Sequence, residues 1–150
     1  MQVGACQEIS FTRSPVCRGG RIEVISYDGS IGSDILDEYH RKSGMSYAET
    51  SGMSYFLALE SGIPVGIIGF TGDRIKLLYA VNSAPEQTER DLLKAVIADA
   101  TYRGAPSVSI YSLDVSGRGY RACKDLGFKE DVSCPCRQRA GTVYLKMTFR

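Results

Sequence analysis

The chain has 150 residues, of which 43% are hydrophobic and 23% charged, enough apolar material for one packed core without disulfide staples. Its 18 basic and 17 acidic residues leave a net charge of +1, so no global field favours nucleic acid or an anionic membrane. No apolar run approaches the roughly 18 residues of a membrane span, and Met1–Cys6 lacks a charged region followed by an apolar stretch, so neither anchor nor secretory leader is expected and the cytoplasm is the expected location.

Residues 1–20 are polar and carry little pattern beyond an edge strand around Ile9 to Thr12. Arg21 to Tyr27 alternates, with Ile22 and Val24 on one side, and predicts a strand. A helix is expected from about Asp34 to Lys42, with Ser33 as N-cap, Gly44 as stop, and Ile31, Ile35, Leu36 and Tyr39 on its apolar face. Ser43 to Ser54 reads as a loop or a short second helix. Then comes the clearest β signal. Tyr55–Glu60 is a strand, Ser61-Gly62 a turn, and Val65–Thr71 the partner, with Pro64 at its start and Gly69 marking a bulge or a close backbone approach. Ile75–Val81 is a third strand, apolar on nearly both faces and therefore central.

Ser83-Ala84-Pro85-Glu86 has the form of a capping box and predicts a helix from about Ala84 to Tyr102, with Leu92, Leu93, Val96, Ile97 and Ala100 buried. Gly104 ends it and Pro106 prevents its return. A strand over 107–113 leads into Ser116-Gly117-Arg118-Gly119-Tyr120-Arg121-Ala122-Cys123-Lys124-Asp125-Leu126-Gly127-Phe128. This piece predicts a short helix over 117–126, capped by Ser116, stopped by a left-handed Gly127, with Phe128 returned to the core. Strands near Phe128–Cys134 and over 142–149 complete the chain. The strand 142–149 is expected at an exposed edge, where it could pair across a homodimer. The fold class is α+β. A mixed, mostly antiparallel sheet of six or seven strands carries helices on both faces in a single domain, with a right-handed crossover between 75–81 and 107–113.

This order resembles that of GNAT-type N-acetyltransferases over roughly residues 20–150. The resemblance rests on four features in sequence: the hairpin with Gly62-Ile63-Pro64-Val65-Gly66, the strand 75–81 with helix 84–102, the strand 107–113, and Leu126-Gly127-Phe128. It implies an acetyl-CoA-dependent transfer to an amine acceptor by direct attack, with the co-substrate in a split between strands 75–81 and 107–113. It also implies that the diphosphate rests on the amides opening the following helix, here Gln87, Thr88 and Glu89, with Arg90 beside them. The Val81 N–H would donate to the thioester oxygen. Arg118 and Arg121 could reach the 3′-phosphate, and otherwise form a solvated helix face.

Two positions depart from the family pattern. Its loop glycines fall here on Gln87 and Glu89, and Glu86, Glu89 and Asp91 crowd the helix start. Acidic residues suit a first turn, but a carboxylate about 5 Å from a phosphate costs on the order of 3 kcal/mol per charge pair. The Tyr that often protonates the leaving thiolate is replaced by Cys123, with Tyr120 on nearly the same face as a substitute; both could equally be core packing. On the acceptor side the strand 75–81 offers Tyr79 and the first helix offers Asp37, Glu38 and His40; His40, the only histidine, is expected in solvent. Met45, Tyr47 and Tyr55 could line the acceptor pocket.

The five cysteines, Cys6, Cys17, Cys123, Cys134 and Cys136, are expected as thiols, and no metal site is expected. Cys6, Cys17, Cys134 and Cys136 together could form a four-sulfur zinc site. Three readings stand: an N-acetyltransferase, a catalytically inactive binding or regulatory module of the same fold, and an unrelated α+β domain with a metal site.

Overall fold

The computed structural model describes residues 21–27, 33–44, 52–114, 117–131 and 142–149. Along the chain run β1 (Ile22–Tyr27), α1 (Ser33–Ser43), β2 (Ser54–Glu60), β3 (Ile63–Thr71), β4 (Arg74–Ala80), α2 (Thr88–Tyr102), β5 (Ser107–Asp114), α3 (Arg118–Leu126), β6 (Lys129–Glu130) and β7 (Thr142–Thr148). The strands form one mixed sheet in the order β1-β2-β3-β4-β5-β7-β6. This is the α+β class and element order expected from the pattern.

The β2–β3 turn places Ser61 (φ 53°) and Gly62 (φ 82°) in the left-handed region, the geometry of tight hairpin turns that follow strand twist. Two irregularities then decide which way side chains point. β2 and β3 slip by one residue between Ala58 and Leu59, so Pro64, inside β3, sits where a missing N–H is tolerated. In β4 the pairing passes from Gly69–Leu77 to Phe70–Ile75, leaving Lys76 as an extra residue. The bulge sends Ile75 to one face of the sheet and Leu77 and Tyr79 to the other.

Helices therefore cover both faces, each over its own core. Ile35 of α1 is buried with Tyr27, Leu57, Ile67 and Leu77 of the sheet. Leu92, Leu93, Val96 and Ala100 of α2 join Ala122 and Cys123 of α3 over Ala58, Ile68, Ile75, Val108 and Leu145. Phe128, 1% exposed, closes this second core just after α3. Gly127, at φ 101°, ends that helix, and the Phe128 N–H donates to the Cys123 carbonyl at 3.0 Å.

Three expectations about elements need correction. The Ser83 capping box does not form, and α2 begins at Thr88 after two tight turns, Ala84 N–H to Val81 O and Thr88 N–H to Pro85 O. The reason is tertiary: the Pro85 carbonyl is held by Arg118 from α3, which fixes the turn. Second, β7 lies between β5 and β6, so it is not an edge where β6 pairs. Third, His40 is 7% exposed, with its ring against Tyr39 at 5.6 Å. Ser116, Met45, Tyr47, the edge strand near Ile9 and the cysteines other than Cys123 lie outside the described residues, as does the zinc site drawn from those cysteines. Among the described residues, no helix is long and apolar enough to cross a membrane, and no three potential ligands gather around a metal position.

Candidate active site

β4 and β5 are parallel but pair only at Arg74–Ser109 and Ile75–Ile110. Beyond Ile75 they diverge and open a split. Backbone alternation says which groups face it. The Val81 N–H donates to Val65 O of β3 at 2.9 Å, so Tyr79 and Val81 turn their amides toward β3. Leu78 and Ala80 turn theirs toward the split. The Val81 N–H, expected from sequence to donate into the split, is therefore spent on β3.

The loop from β4 to α2 forms one lip of the split, and α3, which follows β5, forms the other. Arg118 joins them. Its guanidinium donates to the carbonyls of Val81 (3.3 Å), Asn82 (3.4 Å) and Pro85 (2.7 Å) and to the Glu89 carboxylate (2.9 Å). Glu89 is 4% exposed and Arg118 half-buried, and the pair stands at the position where the family pattern has a glycine. Gln87 stands at the N-cap of α2 without a side-chain capping bond. Thr88 is fully buried, and its hydroxyl has no hydrogen-bond partner among the described residues. Its methyl group fills the space above Gly66, where a Cβ would lie 2.7 Å from it.

The other cofactor candidates lie on α2 and α3. Arg90 bonds Asp125 of α3 at 3.5 Å, an exposed α2–α3 link. Arg121 is exposed on α3. Tyr120, half-buried, packs against the α2-side core with the Lys124 ammonium 6.0 Å from its ring centre. Cys123 has no exposed surface, and burial pushes its thiol up to about 12. It packs the core and has no path to a leaving group, which removes it as the proton donor expected from sequence.

The acceptor-side residues meet on the α1 face of β4. The Tyr79 hydroxyl donates to the Glu38 carboxylate. Lys42, one turn on, lies 3.7 Å from the same carboxylate and 5.8 Å from the Tyr79 ring centre, and Tyr39 packs edge-on to that ring at 6.0 Å. The Tyr79 bond holds the Glu38 carboxyl below the usual carboxylate range. Burial first, and the same bond second, push the Tyr79 hydroxyl up. Tyr79 is thus a donor and not a base at neutral pH, and Glu38 is the charged group of the pair. The helical period places Glu38 and Lys42 on one face, but nothing in the sequence says that this face meets Tyr79, 41 positions away. The Glu89–Arg118 pair, 29 positions apart, was equally hidden.

No protein-family model matches the chain, and no curated protein matches its sequence. Solved structures do. An acetyltransferase of the GNAT family from Staphylococcus aureus superposes with a TM-score of 0.64 at 14% identity, over 87% of this chain and 100% of that one. The chain has the GNAT fold. The Campylobacter jejuni N-acetyltransferase PseH, solved in complex with acetyl coenzyme A, matches with a TM-score of 0.56 at 14% identity, over 85% of this chain and 99% of its own. The PaiA N-acetyltransferase of Thermoplasma acidophilum, in complex with coenzyme A, gives 0.59 at 10% identity, over 86% and 99%. The split after Ile75 and the Glu38–Tyr79 pair meet on β4, the pair on its α1 face.

Proposed function

We propose that this GNAT-fold chain transfers an acetyl group from acetyl-CoA to a small amine. The carrying observation is the split itself: parallel pairing ends after Ile75, and the backbone amides of Leu78 and Ala80 are turned into the gap. Such preorganised donors stabilise charge developing on a thioester oxygen. The thioester supplies the activated acetyl group. The chain's own residues supply the rest. Glu38, kept ionised by Tyr79, is placed to hold an ammonium group, and the amine gives its proton to water before it attacks. Tyr120 is the remaining candidate on α3 for returning a proton to the thiolate. Gln87 and Thr88 open α2, whose first turn would face the diphosphate.

The test is native mass spectrometry with acetyl-CoA, followed by an amine panel. The expected result is one CoA-sized adduct per chain and acetylation of at least one amine. Absence of an adduct at millimolar acetyl-CoA would overturn the reading. Glu38→Gln should raise the amine KM by at least tenfold while leaving CoA binding unchanged, in keeping with a charge-assisted bond of about 1.5–3 kcal/mol.

A second reading, a GNAT-fold binding module without transfer activity, is favoured by one observation. The Arg118 guanidinium is already engaged across the lips of the split, with a carboxylate in the family's glycine position. CoA-free protein that turns over no amine in the panel would support it.

A further inference from the structure

The Glu89–Arg118 pair carries more than a structural role. Arg118 reaches from the first turn of α3 to the opposite lip and there meets three carbonyl oxygens and one carboxylate. A guanidinium so placed can pair its N–H groups with two oxygens of an anion such as a diphosphate. Glu89 is the second residue of α2, and its carboxylate sits where the positive end of that helix favours an anion. The chain has thus put its own anion beside its own cation at the mouth of the split. Thr88, one residue before, adds a buried hydroxyl without a partner among the described residues, so the first turn is under-satisfied even with the pair formed.

We propose that Glu89 is an internal stand-in for the ligand's anion. In the free protein its carboxylate holds Arg118. Binding of a CoA-type nucleotide exchanges that carboxylate for the diphosphate on the same guanidinium and swings Glu89 outward. The pair then sets affinity: each binding event must first separate a half-buried ion pair, which keeps the site weak and selective for a doubly charged group over single anions. This rests on the reading that the lips of the split receive acetyl-CoA.

The experiment is isothermal titration of CoA, and of S-acetylpantetheine, which lacks the diphosphate, into the unaltered chain and Glu89→Gln. Removing the charge while keeping the shape should tighten CoA binding at least tenfold and leave S-acetylpantetheine unchanged. Equal CoA affinity in the two proteins, or an equal gain for both ligands, overturns the proposal. If the unaltered chain acetylates an amine and Glu89→Gln shows no gain, the exchange fails and the acetyltransferase reading stands. If Glu89→Gln alone binds CoA, the exchange stands and transfer by the natural chain fails. If neither protein binds CoA, both fail. Should Glu89→Gln fold poorly, the guanidinium NMR signals of Arg118 in the unaltered chain decide: they should shift on saturation with CoA, and unmoved signals overturn the proposal.

Discussion

Gly66 shows how a single residue positions the site. A methyl group there would lie 2.7 Å from the Thr88 Cγ2, 3.1 Å from a Leu92 methyl and 3.3 Å from the Tyr79 carbonyl oxygen. The last is backbone and cannot rotate away. Gly66→Ala should therefore lift the start of α2 off the sheet and cost about 1–3 kcal/mol, measured by urea denaturation. Cys123 makes a second residue-scale prediction. Its thiol is neutral in the folded state up to about pH 12, whereas the unfolded thiol ionises near 9.0. The unfolded state then releases a proton that the folded state keeps, so stability falls with rising pH between those values and is unaffected below them. The slope approaches about 1.4 kcal/mol per pH unit. Replacing Cys123 by Ala should flatten the decline in a pH series of denaturation curves. At pH 8 Cys123 should resist alkylation in the native chain and react once the chain is unfolded, read by peptide mass mapping.

At the scale of elements, the start of α2 is held by α3 and not by its own capping residues. Ser83 and Glu86 are exposed, and the N-cap residue Gln87 makes no side-chain capping bond. Arg118 takes the Pro85 carbonyl and neutralises a Glu89 that is 4% exposed. Arg118→Ala would leave a buried carboxylate unpaired and should cost about 3 kcal/mol, on the order of 10 °C in Tm for a domain of this size. Ser83→Ala should change Tm little, since no capping bond is lost. A large loss from Ser83→Ala with a small one from Arg118→Ala would reverse this assignment. The same logic runs through α1, whose Glu38 and Lys42 reach Tyr79 only because the extra Lys76 in β4 turns Tyr79 toward α1.

For the whole molecule, one sheet serves two cores. Leu57 faces α1 and Leu93 belongs to α2, and both are 0% exposed. Because the same strands floor both cores, neither face can loosen alone. Leu57→Ala and Leu93→Ala should each cost about 3 kcal/mol. Each should still unfold in a single transition, with far-UV and near-UV signals superimposed. Separate transitions for the two signals would show that the faces fold independently. The split lies between these cores at the C-terminal half of β4, so residues of both faces reach it without the sheet being cut.

Much of this architecture is written in local pattern. Alternation marks β1 through β4, the period of α2 shows its buried Leu92, Leu93 and Val96, and Gly44, Gly104 and Gly127 mark helix ends through the left-handed conformation they adopt. These features depend on neighbours within one turn or one strand, so the sequence by itself determined the α+β class and the element order. The site was legible only as a set of candidates. Tyr79, Arg118 and Glu89 could be named, but not paired, because pairing depends on how β4 bulges, where α3 docks and which amides face the split. A one-residue slip at Lys76 or at Val65 reverses the face of every residue after it, and no local propensity encodes it. Burial likewise moved Cys123 and His40 from candidate chemistry into the interior. Such contacts span tens of residues and are decided by the packing of the whole sheet, which is why the tertiary structure alone fixed what each candidate touches.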